Sequence, residues 1–383
     1  MSTATSASRF PAAVYGRRLA RAAALADRAG VAALIITPGP DLAYLIGSHA
    51  QTFERLSALV IPATGGPILV TPRLEVASFA ESAVDELGVR FTPWVDGEDP
   101  YALALTGLVS NPVVAVSDSM SAGHLIPLMS ATGTAPLLAT DILRDLRMIK
   151  DEDEIAALRR AGAAIDRVHA RMGEWLRPGR TEAVVAADIA AAIVDEGHLE
   201  AAFVIVGSGP NGADPHHEQS DRVISEDDIV VIDIGGPVAP GYNSDCTRTY
   251  CFGEPSEEIS RAYAELAAAQ ALAVAAVRPG VTAESVDAAA RDHLAAVGLA
   301  DRFIHRTGHG IGLSVHEEPY IVAGNSLVLA PGMAFSIEPG VYFDGVWGAR
   351  IEDIVIVTDD GCESVNHRDH ALTRLPAQPS KEH

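Results

Sequence analysis

Between Val14 and Ala29 the apolar positions Leu19, Ala22, Ala23 and Leu25 recur at helical spacing, and Gly30 stands where a left-handed residue closes a helix. A helix therefore opens the chain. The pattern then shortens to β-branched runs, VAALIITP (31–38), LSALVIP (56–62) and PILVTP (67–72), the last two separated by Ala63-Thr64-Gly65-Gly66. These predict strands, with a hairpin between the second and third. A helix over 73–86, a strand over 89–94, a strand over 113–117 and a helix over 123–129 continue an alternating α/β unit. The segment DILRDLRMIKDEDE (141–154) is dense in charge and precedes a long helix over 155–175. It places a domain boundary near residue 145, with an α/β domain over 1–145 and a second domain over 146–383; a solvated helix face inside one domain is the other reading of those charges.

Beyond that boundary the pattern repeats. A long alanine-rich helix ends in Arg177-Pro178-Gly179-Arg180-Thr181, where threonine caps a helix over 182–196. About a hundred residues on, a helix over 257–277 ends in Arg278-Pro279-Gly280-Val281-Thr282, and another runs to Val297. Each pair continues into strands and hairpins, which predicts a pseudo-symmetric α+β domain with a curved sheet facing inward.

The 383 residues are 48% apolar and 21% charged, the composition of a globular chain with a large core. The formal net charge of −23 argues against nucleic acid and anionic membranes as partners. Cys246, Cys251 and Cys362 are odd in number and lack metal-finger spacing, so a reducing, cytoplasmic setting is expected. The N-terminal basic residues have no apolar run of signal-peptide length behind them, and no apolar stretch approaches 18 residues.

Chemistry concentrates in the second domain. In IVVIDIGG, Asp233 shares a strand face with Val231 while Ile232 and Ile234 take the other, and a turn rich in glycine and proline leads to Asp245 on the expected partner strand. Later, His309 stands between glycines in TGHGIG, while Glu338 in SIEPG and Glu352 in RIED interrupt apolar strands. Unpaired buried carboxylates are expensive, so cations of opposite charge are the simplest partners. Four carboxylates and one imidazole form a hard donor set that suits Mn²⁺, Co²⁺, Fe²⁺ or Zn²⁺, and four negative charges balance two dications. Such a pair can activate water and polarise a carbonyl, which is hydrolytic chemistry. Competing signals fall away. The GxGxxG match at Gly207–Gly212 carries Pro210 where a phosphate-binding helix would begin, no HExxH or GxSxG occurs, and no cysteine has a neighbouring histidine. His216 and His217 follow a glycine-rich turn, where an exposed polar loop is the plain expectation.

Five ligand-type residues in this order, with GHGIG, IEPG and RIED, resemble the metallopeptidase family often called pita-bread, which includes methionine aminopeptidase, aminopeptidase P, prolidase and the metal-free creatinase. The resemblance spans nearly the whole chain, since the first half looks like the creatinase-type N-terminal domain of prolidases and aminopeptidase P. It implies an α+β fold class: a pita-bread catalytic domain with a curved antiparallel sheet and pseudo-twofold repeat, preceded by an α/β creatinase-type domain. By the same resemblance Asp233, Asp245, His309, Glu338 and Glu352 would bind two divalent metal ions per subunit, Mn²⁺ first among the alternatives, with Asp245 and Glu352 bridging them. Glu338 would also serve as acid/base, His316 would hydrogen-bond the tetrahedral intermediate, and His216 and His305 would line the substrate pocket. Arg350 would brace the site and meet a substrate carboxylate. The implied reaction is hydrolysis of the Xaa-Pro bond at the N-terminus of short proline-containing peptides by a homodimer. Prolidase-type dipeptidase activity is preferred to aminopeptidase P on the compact two-domain length. A creatinase-like amidinohydrolase and a non-enzymatic binding module are the remaining alternatives, and neither calls for all five ligands.

Overall fold

The computed structural model describes residues 9–51 and 54–376; residues 1–8, on which part of the expectation of a chain without a signal segment rests, lie outside them. The chain forms two compact units, Met1–Arg147 and Met148–His383.

In the first unit, α1 (Ala12–Arg28) buries Val14, Leu19, Ala22 and Ala26 on one face. Gly30 closes it with φ 69°, and Val31 N–H reaches back to the Ala26 carbonyl. A six-stranded sheet follows, built from β1 (Ala33–Ile36), β2 (Ala58–Pro62), β3 (Ile68–Pro72), β4 (Arg90–Trp94), β5 (Val114–Val116) and β6 (Leu137–Leu138) in the order β4-β3-β2-β1-β5-β6. The hairpin expected at 63–66 joins β2 to β3 in antiparallel register. One element departs from expectation. Residues 73–86 do not form an α-helix: a 3-10 helix covers Arg73–Phe79, and the chain then turns because Ala83 N–H bonds the distant carbonyl of Ile46. Three short helices escaped the apolar pattern, α2 (Pro40–Ile46), α3 (Pro100–Ala104) and α5 (Ala139–Met148); α4 is Ala122–Thr132.

The second unit opens with α6 (Glu152–Ala170), three residues earlier than the apolar pattern suggests, because Asp151 and Glu154 close a capping box. After α7 (Glu182–Asp195) come β7 (Phe203–Ser208), β8 (Ile229–Val238) and β9 (Tyr242–Cys251), then α8 (Glu257–Ala276) and α9 (Ala283–Ala296). The second half continues with β10 (Gly308–Gly310), β11 (Glu317–Ile321), β12 (Ala334–Ile337), β13 (Gly340–Phe343), β14 (Trp347–Arg350) and β15 (Asp353–Val357).

The internal repeat is visible in hydrogen bonds. Gly179 N–H donates to Ile224 O at 2.8 Å and Ile224 N–H returns to Arg180 O at 2.9 Å; Gly280 and Leu329 repeat the pair with Leu329 O and Val281 O at 2.9 and 2.8 Å. Both glycines take φ near 87° (86° and 87°), a left-handed turn that a side chain would strain. Each half has its own core. One gathers Ile165, Ile189, Val206 and Ile232, the other Leu266, Val286, Phe335 and Val355. No described helix is long and apolar enough to cross a membrane.

Gly162, inside α6, shows how closely these parts approach: a Cβ there would lie 2.6 Å from Val365 O. Alanine in an exposed helix interior is worth about 1 kcal/mol over glycine. At this position Gly162→Ala is expected to destabilise instead, by about 1–3 kcal/mol of overpacking. A thermal midpoint that rises, followed by circular dichroism, would contradict the contact.

Candidate metal centre

The β8–β9 hairpin pairs Asp233 with Thr247 and Gly235 with Asp245. Because side chains alternate along a strand, Asp233, Asp245 and Thr247 share one face, and the two carboxylates are diagonal neighbours. Glu352 is stitched to the same hairpin: its N–H donates to Thr247 O at 3.2 Å, and Thr247 Oγ1 donates to Glu352 Oε2 at 2.7 Å. From the opposite face Arg248 donates through Nη1 to Glu352 O and through Nη2 to Asp353 Oδ1, both at 2.7 Å. Glu352 is thus held from two sides.

The second half brings His309 and Glu338. Ser336 Oγ accepts His309 N–H at 2.9 Å and donates to Glu338 Oε1 at 3.0 Å, while Glu338 N–H donates to Thr307 O at 2.8 Å. The glycines flanking His309 do not form an open floor for a substrate ring. A Cβ at Gly308 would strike Ser336 O, and one at Gly310 would strike the Glu318 carbonyl, so both positions are filled by neighbouring strands.

The orientation of His309 decides what the cluster can hold. Nδ1 lies 3.0 Å from Gly310 O, which requires it to carry the proton and donate. The Nε2 lone pair then faces Glu338 Oε1 at 3.3 Å and Asp245 Oδ2 at 3.6 Å. Burial first, and then the neighbouring His316 imidazole, push His309 down to about 3, so it is neutral at physiological pH. Asp245, His309 and Glu352 each offer a ligand atom within 4.8 Å of the others. Oδ1 of Asp233 is buried without a hydrogen-bond partner among the described residues.

The carboxyls register the crowding. Burial, then the charge of Glu352, holds Asp245 well above the ordinary carboxylate range, and burial followed by Glu338 does the same for Glu352. Glu338 is pushed up to about 7 by burial, against the opposing pull of Arg350. An unprotonated imidazole nitrogen meeting crowded carboxylate oxygens in a buried site is short of cations, and this donor set fits divalent metal.

Arg350 braces the arrangement from beneath. Its Nη2 donates to Asp233 Oδ2 at 2.6 Å, Nη1 to Tyr342 Oη at 2.8 Å and Nε to Thr247 Oγ1 at 3.1 Å. His305 Nδ1 donates to Arg306 O at 2.7 Å, so its Nε2 accepts from Tyr342 Oη at 2.9 Å, extending the chain from Arg350 through Tyr342 to His305. Burial, then Arg350, brings His305 down to about 4.

These residues surround a cavity of about 710 Å³ lined also by Ala202, Phe203, Ile205, Pro215, Val315, Arg306, His216 and His316. His316 is exposed, with its ring centroid 3.9 Å from that of His309, and burial, then Arg306, lowers its pKa. His216 is exposed on a loop whose neighbour His217 bonds the wholly buried carboxylate of Glu182 at 2.8 Å. Ser208 Oγ and Ser220 Oγ donate to the same carboxylate, so the run Gly207–Gly212 forms a turn gathered onto Glu182. Every site residue expected from the sequence therefore borders this one cavity. The sequence motifs do not point to Thr247, Ser336, Tyr342 or Arg306. Thr247 and Ser336 lie two residues from Asp245 and Glu338 on the same strand faces, a period-two signal; Tyr342 and Arg306 carry no local signal.

The chain matches the family model for metallopeptidase family M24 over residues 156–359 and that for the Creatinase/Prolidase N-terminal domain over 18–149. The probable dipeptidase PepE of Mycobacterium tuberculosis is 66% identical over 369 residues, covering 96% of this chain and 98% of that protein. The Xaa-Pro dipeptidase of Lactobacillus helveticus is 34% identical over 344 residues, 88% of this chain and 92% of that one. The crystal structure of dipeptidase PepE from Mycobacterium ulcerans is similar at a TM-score of 0.92 and 64% identity, covering 96% of this chain and 100% of that chain. The segment that carries all five converging side chains is the segment the family model spans, and this chain belongs to metallopeptidase family M24.

Proposed function

We propose that this metallopeptidase is an Xaa-Pro dipeptidase in which Asp233, Asp245, His309, Glu338 and Glu352 would hold two divalent cations. The observation that carries the reading is the unprotonated Nε2 of His309 turned toward Asp245 and Glu338, in the same cavity as an Asp233 Oδ1 that has no hydrogen-bond partner among the described residues. The names of the relatives, a probable dipeptidase and an Xaa-Pro dipeptidase, support the substrate class. Bound there, such cations supply Lewis acidity, bringing the pKa of water toward neutrality and polarising the scissile carbonyl.

The chain's own groups do the rest. Glu338, on the cavity wall beside His309 and fixed by Ser336, takes the proton of the attacking water and delivers it to the leaving proline nitrogen. His316, on the cavity rim, donates to the oxygen that gains charge as the carbonyl becomes tetrahedral. The tertiary amide of Xaa-Pro has no N–H, so recognition falls to shape. Ala202, Phe203, Ile205 and Val315 supply apolar lining in the cavity, against which a pyrrolidine ring can pack. Manganese as the resident ion, a homodimer and a cytoplasmic setting belong to the same reading; elemental analysis and sedimentation velocity check the first two.

With Mn²⁺ or Co²⁺ added, Gly-Pro-type dipeptides are expected to be cleaved in preference to Xaa-Pro-Pro tripeptides. Preference for the tripeptide would indicate aminopeptidase P activity, and inertness towards both would reject the proposal. Asp245→Asn should lose metal by elemental analysis and lower kcat on the order of 10³-fold, beyond the 10–100-fold usual for outer partners, with the fold retained. Full metal occupancy in that variant would contradict its role as a ligand. Metal binding should also release protons. Glu338, Asp245 and Glu352 have raised pKa values, so below about pH 7 protons compete with cations and affinity increases as pH rises from 6 to 8. Calorimetry in two buffers of different ionisation enthalpy measures this, and a pH-independent affinity would refute it.

A further inference from the structure

Glu182, the first residue of α7, is wholly buried and takes no part in the chemistry proposed for the metal centre. Its Oε1 accepts Ser208 N–H at 2.8 Å and Ser208 Oγ at 2.6 Å, and its Oε2 accepts His217 Nε2 at 2.8 Å, Ser220 Oγ at 2.7 Å and Ser220 N–H at 3.2 Å. Asn211 Nδ2 donates to both oxygens, at 3.1 and 3.0 Å. Burial alone would raise this carboxyl; the hydrogen bonds from Ser208, Ser220 and His217 outweigh it and hold the group below its ordinary range, as an anion. An anion only accepts, so His217 carries a proton on Nε2.

These donors all come from residues 208–220, the segment that brings Pro215 and His216 to the cavity. The two adjacent histidines go different ways. His216 is exposed and borders the cavity, while His217 is half-buried on Glu182, so a shift of the anchor passes directly to His216. The other half of the repeat has a counterpart. Asp287 of α9, also buried, accepts Thr307 N–H at 3.1 Å and Thr307 Oγ1 at 2.8 Å, and it pairs with Arg291, whose Nη2 also donates to His305 O at 2.9 Å. In each half a buried acid on the second helix thus pins a segment carrying a cavity histidine, His216 in one and His305 in the other.

We infer that the Glu182–His217 pair is a positioning device for peptide hydrolysis: it fixes the 208–220 segment so that His216 meets the substrate already in place. This rests on the peptidase reading above. Neither residue touches the substrate, and both act through His216. A loop that must be ordered when its ligand arrives subtracts that ordering from the affinity, whereas a loop tied down beforehand does not.

The test uses the full, metal-loaded chain. It compares His217→Leu, which removes the donor, with His217→Gln, whose amide nitrogen can stand in for Nε2. kcat and KM for Ala-Pro are measured in both, in His216→Ala, and in the double variant carrying His216→Ala and His217→Leu, with thermal midpoint and metal content alongside. His217→Leu should lower kcat/KM on the order of 10-fold, the worth of one charge-assisted hydrogen bond, mostly through KM and with metal content unchanged. His217→Gln should recover most of that loss. In the His216→Ala background His217→Leu should cost less than about 2-fold, because the two residues act as one unit. Equal losses in both backgrounds, a loss confined to kcat, a loss of metal, or a His217→Leu enzyme changed only in thermal midpoint would overturn the assignment. Should His217→Leu not fold, Ser220→Ala, which removes another donor to Oε2, takes its place with the same expected pattern. Hydrogen exchange read by mass spectrometry needs no turnover: His217→Leu should speed exchange over residues 208–220 and leave residues 305–316 unchanged, and unaltered exchange over 208–220 would sink the idea. A wild type that cleaves no dipeptide would end the peptidase reading, and the exchange arm then judges the anchor by itself.

Discussion

Two like charges about 4 Å apart in a partly screened interior repel by about 4 kcal/mol, equivalent to roughly three pKa units. The cavity brings together four carboxylates, and the buried cation that touches one of them is Arg350, on Asp233. The carboxyls of Asp245, Glu338 and Glu352 answer by holding their protons, while burial and the neighbouring His316 imidazole keep His309 neutral. The rest of the second unit can be understood as scaffolding that keeps these groups from relaxing apart. Ser336 fixes His309 and Glu338 to each other, Thr247 ties Glu352 to the aspartate hairpin, and Arg248 holds the Glu352 backbone from behind.

That rear support is itself a buried ion pair. Asp353, the residue after Glu352, points away from the cavity and meets Arg248 at 2.7 Å and His370 at 2.7 Å. Alternation along the strand puts one acid in the cluster and the next in a fully satisfied pair, so two adjacent carboxylates experience opposite environments. Asp353 is held below its ordinary range because hydrogen bonding to His370 and the charge of Arg248 outweigh burial, which alone would raise it. Glu352 is driven the other way by burial and by the charges of Glu338 and Asp233. Burial penalises both; the difference between them is the company each keeps.

The sequence was informative where chemistry interrupts a strong apolar pattern. An acid inside IVVIDIGG or before IVIV has no surface to explain it, and such residues pointed to the cluster with no knowledge of the fold. The pairing of β8 with β9 was likewise legible, because a turn of glycine and proline separates two long β runs. What stayed hidden depends on tertiary contact. Tyr342 joins Arg350 to His305 across elements far apart in the chain, and Arg306 stacks on a ring fourteen residues away. The 73–86 segment misled for a similar reason: its composition favours a helix, yet one backbone bond from Ala83 to Ile46 redirects it. The glycines around His309 mark places where strands press against one another, a contact that only the fold reveals.

The aspartates come from one half of the internal repeat, and the histidine and glutamates from the other, while each half keeps a separate apolar core. The reactive groups therefore sit on the seam, not within either core. Stability and chemistry are inherited from different parts of such a chain. A descendant that loses one seam carboxylate keeps both hydrophobic interiors, and natural selection is left with a sound scaffold whose cleft is vacant for other employment.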